Sequence, residues 1–165
     1  MIPSPSSRWS CKEIRNGYFD IITITVAVVS FIVSVCTYCA TVRHDRKRDT
    51  LEAYNRLQTE VFDHLNTYSP GQIRSIAEEP QSLEYKVLSG YLARIEHFCV
   101  GVNTGIYDEK VMYALGHGYF DGFGLRRRID PLLEAKNSYG KTNELYYVNI
   151  YSVFDRFDRQ RGKTV

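Results

Sequence analysis

From Tyr18 to Ser69 the chain of 165 residues contains no glycine and no proline. Nothing in that stretch interrupts or turns a helix. Charge is missing from a shorter part of it. Residues 21–42, IITITVAVVSFIVSVCTYCATV, carry no acidic or basic side chain. The net charge of +2 is too small to imply a nucleic-acid or membrane partner by itself. Cysteine is scarce: Cys11, Cys36, Cys39 and Cys99 show no pairing pattern, which argues against a disulfide scaffold and for a reduced compartment. His44, His64, His97 and His117 fall in no metal-ligand spacing. His97 and Cys99 stand two apart on an expected helix and so point different ways. No phosphate-binding loop occurs, and the Gly116–Gly124 run follows a helix rather than a strand, which excludes a dinucleotide fingerprint. Glu78 and Glu79 sit beside Pro80 and read as a solvated turn. These absences lead us to expect no catalysis, no cofactor and no metal.

What is present is a membrane segment. At 1.5 Å per residue, residues 21–42 span about 33 Å as a helix, close to the ~30 Å of a hydrocarbon core. Their β-branched content would suit a strand in water, but a lone strand in lipid leaves its backbone unpaired. The run exceeds the apolar stretch of a cleaved signal peptide, so an unprocessed signal-anchor is expected. The basic cluster RHDRKR, with Arg43, Arg46, Lys47 and Arg48, follows at once and predicts a cytoplasmic C-terminal part.

Beyond it, Leu51, Tyr54, Leu57, Val61, Leu65 and Tyr68 recur every three or four residues, an amphipathic helix continuous with the membrane segment. The pattern predicts one helix from about residue 20 to 68. A short helix is expected over Ile73–Glu79. A longer one is expected over 82–103, capped by Ser82, stopped near Gly105 and faced by Leu83, Val87, Tyr91, Ile95, Phe98 and Val102. Asp108 caps a further helix with Val111, Met112 and Leu115 inward. LRRRIDPLLEAKN continues after a glycine-rich interruption, and the Tyr-rich end reads as helix rather than strand. The expected fold is all-α and oligomeric. It comprises a tail (1–19), a transmembrane helix (20–42), a stalk (43–69) and a cytoplasmic helical ligand-sensing or oligomerisation domain (70–165).

Two features carry candidate function. Thr23, Ala27, Ser30, Ser34, Thr37 and Thr41 are spaced 4, 3, 4, 3 and 4, which sets all six on one face of the membrane helix. Helices meet in lipid through small and hydroxyl-bearing residues, so this face is either an oligomer seam or the lining of a narrow polar pore. The third reading is that these hydroxyls bond their own backbone. The second feature is GHGYFDGFGLRRR, residues 116–128. His117, Tyr119, Phe123, Arg126, Arg127 and Arg128 are the ingredients of a phosphate- and base-binding surface. The alternative is that the arginines pair with Asp121, Asp130 and Glu134 and that the glycines let helices pack closely.

The stretches TLEAYNRLQTEVF and YLARIEHFCVGVNTGIYDEKVMYALGHGYF, diagnostic over residues 91–120, resemble a bacterial single-pass membrane family of unknown function. In architecture the chain is similar to transmembrane effectors of bacterial anti-phage systems, the Hailong-type ion-channel effector among them. The resemblance implies a homo-oligomer, with a tetramer as the first expectation, in the bacterial inner membrane. It also implies an oligonucleotide or nucleotide signal made by a partner enzyme. The alternative is a single-pass anchor whose helical domain recruits or restrains a protein partner without a pore.

Overall fold

A computed structural model describes residues 11–116, 119–120, 124–139 and 146–162, the side chains of 11–19 and 139 excepted. Every regular element among the described residues is helical: α1 (Cys11–Leu57), a π-helical turn (Gln58–Phe62), α2 (Asp63–Leu65), α3 (Pro70–Ala77), α4 (Leu83–Asn103), α5 (Glu109–Gly116), α6 (Leu125–Tyr139) and α7 (Val148–Arg161). The chain divides into two compact units, Met1–His44 and Asp45–Val165.

In the first unit, α1 is long and apolar enough to cross a membrane. Every side chain from Asp20 to His44 is exposed. The helix begins at Cys11, nine residues before the expected start.

The second unit has one hydrophobic core. Val61, Ile73, Leu88, Leu92, Ile95, Met112, Leu125, Ile129, Leu133 and Ile150 are fully buried in it. Within it α4 packs chiefly on α7, and α3 on α6. An aromatic cluster joins distant stretches of chain. Tyr54 meets Phe62 at 6.1 Å, Phe62 meets Phe120 at 5.6 Å, and Phe120 stacks on Phe157 at 5.9 Å between ring centroids.

Local chemistry explains the element ends. Ser69 caps α3 in a reciprocal capping box with Gln72, and Pro70 occupies the first turn, where a missing N–H costs nothing. The expected break at Pro70–Gly71 is therefore the start of the helix itself. Ser82 caps α4 by accepting from the Tyr85 amide, and Gly105 follows its end at φ +77°. The Asp108 carboxylate accepts from the Lys110 and Val111 amides at the start of α5.

Four facing expectations need correction. On α4, Leu83 is 72% exposed and Val87 40% exposed, while Tyr85, Leu88 and Leu92 are buried. The helix carries two overlapping apolar stripes that share Ile95, Phe98 and Val102, and its neighbours select the second. Leu51 on α1 and Leu115 on α5 also point outward. The stalk leaves regular α-geometry at Gln58–Phe62, and the extra residue of the π turn lets both Val61 and Phe62 face the core.

Candidate pore face and ligand segment

All six residues of the small-polar stripe are exposed. The Ser34 hydroxyl donates to the Ser30 carbonyl at 2.8 Å, Thr37 to Val33 at 2.8 Å, and Thr41 to Thr37 at 3.0 Å. Thr25, off the stripe, does the same to Ile21 at 2.8 Å. These bonds use the hydroxyl protons but leave lone pairs on the oxygens, so the stripe can still accept from water or a neighbouring helix. The rest of the segment is uncovered hydrocarbon, with Phe31 and Tyr38 about 70% exposed. A patch of that size belongs in lipid or against another helix.

The arginine segment is divided rather than convergent. Arg126 donates from Nη1 to Asp158 at 2.9 Å, lies 3.9 Å from Asp130, and rests over the Phe154 ring at 5.5 Å. Arg128 turns the other way and donates to the Tyr68 carbonyl at 2.7 Å. Arg127 alone of the three is exposed. Burial raises the Asp130 carboxyl above its ordinary range, with the nearby Arg126 opposing that shift. Tyr119 packs its ring on Phe62 at 4.5 Å and donates to Asn66 Oδ1 at 3.1 Å. Its phenol is raised, mainly by burial. Gly124 fits a tight approach, since a Cβ there would lie 2.8 Å from the Tyr119 carbonyl oxygen. His117, Asp121 and Phe123 lie outside the described residues.

Two polar joints had no clear sequence signal. Glu96, half-buried on α4, accepts from the Asn149 amide at 3.1 Å, from Asn149 Nδ2 at 2.7 Å and from the Ile150 amide at 3.0 Å. It serves as the N-terminal cap that Tyr147, in the left-handed region at φ 62°, does not provide. At the other joint, Arg46 donates to the Tyr107 carbonyl at 3.0 Å, and buried Thr50 accepts from the Asp108 amide at 2.8 Å. These bonds tie the GVNTGIYDE stretch to the stalk. Gly101 is required there, because a Cβ would come within 2.4 Å of the Tyr107 ring. The hint available in sequence was Thr50, a small residue on the apolar stripe of an otherwise charged helix.

The family model of a domain of unknown function, DUF4760, matches residues 24–153. The chain belongs to this family. The stretch that defines DUF4760 here thus runs from within the apolar helix into α7, so both units contribute to it. No curated protein and no solved structure matches the chain.

Proposed function

We propose that this DUF4760 protein is a homo-oligomeric membrane effector whose apolar helices surround an ion pathway. The small-polar stripe on an otherwise uncovered apolar helix is the observation that carries this reading. A helix with one face of Thr, Ser and Ala and the other of Ile, Val and Phe is matched to two environments at once. With four or more copies, Ser30, Ser34 and Thr37 would line a narrow polar channel. One helix from each of two copies cannot enclose one. The helical domain would bind an anionic signal, a nucleotide or single-stranded DNA, that shifts the assembly between closed and conducting arrangements. Arg127 is the arginine of its segment best placed to hold a phosphate, since Arg126 and Arg128 already have partners. A bacterial anti-phage role, with an inner-membrane location and a cytoplasmic helical domain, extends this reading by similarity of architecture. The protein in planar bilayers should conduct, and Ser34→Leu should alter the current. Absence of conductance with and without oligonucleotides or nucleotides would sink the channel reading.

A second reading is favoured by the hydrogen bonds of Ser34, Thr37 and Thr41 to their own helix. With the protons used internally, the stripe serves equally as a dry packing seam in a membrane anchor that recruits or restrains a protein partner. Oligomeric state in detergent separates the two, because a dimer fits the seam alone.

A further inference from the structure

A cavity of about 450 Å³ opens between the stalk end of α1, the π turn and α4. It falls within the 300–1,000 Å³ typical of small-molecule sites. Its apolar walls are Leu57, Val61, Phe98 and Tyr107, and the small side chains of Ala53 and Ala93 complete its lining. Phe98 is buried and Tyr107, stacked on it at 5.1 Å and 26°, is the more accessible of the two aromatic rings on the lining. Arg56, Arg94 and His97 stand around the cavity with a single carboxylate, Glu60.

The wall is built rather than incidental. Tyr107 is set by its neighbours: Gly101 admits its ring, and Arg46 holds its carbonyl. The π turn contributes Glu60 and Val61 to the cavity, and such turns cluster at functional sites. Arg94 meets Glu60 at 2.8 Å across the gap between α4 and the π turn, with both side chains about half exposed. Arg56 is held more loosely, 3.6 Å from Glu52 on its own exposed face. Exposed pairs of this kind are weak, so both guanidiniums are available to an incoming anion.

We propose that this cavity binds a compact anion bearing a planar ring, with a mononucleotide as the fitting class. The ring would lie against Tyr107 beside Ala53 and Ala93, and the phosphate would take Arg94 and Arg56 in place of their carboxylate partners. The site is separate from the arginine segment, and binding there does not depend on a pore.

The test uses full-length protein in detergent with a fluorescent methylanthraniloyl derivative of adenosine monophosphate. Saturable binding is expected, with adenosine monophosphate competing at least tenfold better than adenosine or inorganic phosphate alone. Arg94→Ala should weaken binding roughly tenfold or more, as expected for loss of a charged hydrogen bond. Ala93→Trp, at an exposed position that leaves the fold intact, should abolish it. Arg127→Ala should leave it unchanged. Saturating adenosine monophosphate should also raise the thermal midpoint of the wild type but not of Ala93→Trp. No saturable binding, equal competition by adenosine, or unchanged binding in Ala93→Trp each overturns the proposal. Binding without conductance removes the channel reading and keeps the site, whereas conductance without binding does the reverse.

Discussion

Arg128 on α6 donates to the main-chain carbonyl of Tyr68, 2.7 Å away and sixty residues earlier, in the loop three residues past the end of α2. A cation there satisfies a loop carbonyl between α2 and α3, and the same Nη1 lies 3.5 Å from the Leu65 carbonyl, where it opposes the negative end of the helix dipole. The neighbouring Arg127 points to solvent instead, so one tripeptide of arginines holds both a structural residue and a free one.

Arg128→Ala should therefore lower the stability of the full-length protein by about 1.5–3 kcal/mol, the range for a hydrogen bond to a charged group. Arg127→Ala should stay within about 0.5 kcal/mol, as surface changes do. Thermal unfolding in detergent reads both. Equal losses in the two variants would show that Arg127 also has a structural partner.

Gly101 and Tyr107 make a second pair that only one shape satisfies. Because a Cβ at 101 would come within 2.4 Å of the Tyr107 ring, Gly101→Ala forces that ring from its stack on Phe98. Overpacking of this kind costs about 1–3 kcal/mol. In a Tyr107→Ala background the same change should cost much less, since the obstructing ring is gone. A double-mutant cycle measures the difference, and additive losses would refute the steric account.

These two pairs show where the sequence was readable and where it was not. Ser82, Asp108 and Gly105 act within a few residues of where they stand, so helix ends were legible from local chemistry. Leu83 and Val87 fit a helical stripe as well as Leu88 and Leu92 do. Only packing against α7 and α6 decides between the stripes, and that packing is nonlocal. Arg126 does approach Asp130, as its spacing allows, but its closer partner Asp158 and the Tyr68 partner of Arg128 lie 32 and 60 residues away, so a run of three arginines gave no sign of its division. The π turn left no sequence trace, and with it went the cavity it walls.

Buried phenols make stability depend on alkaline pH. Burial raises Tyr54, Tyr119, Tyr147 and Tyr151 above the ordinary tyrosine value of 10.0. A group whose folded pKa is raised contributes stability that is fully present below the unfolded value. That contribution is lost as pH climbs from about 10 through the folded value. The thermal midpoint should therefore fall steeply above about pH 10. Tyr54→Phe, which removes one such phenol, should make the fall shallower. An unchanged slope in that variant would mean that Tyr54 does not titrate differently in the two states.

The stripe makes a prediction about which surfaces of neighbouring helices meet. At 100° per residue, Cys36 lies about 200° around the helix from Ser34, and Cys39 falls near that same far side. A disulfide needs Cα atoms within about 7 Å. If copies associate through the stripe, oxidation should leave Cys36 and Cys39 unlinked between subunits. Ser34→Cys, placed in a background with Cys11, Cys36 and Cys39 changed to serine and only the buried Cys99 kept, should then crosslink when the stripe is a dry seam. Around a water-filled path the same thiol should crosslink less and react instead with a charged, water-soluble thiol reagent. Efficient crosslinking through Cys36 in the unaltered chain would place the apolar face at the interface and remove the stripe from both accounts.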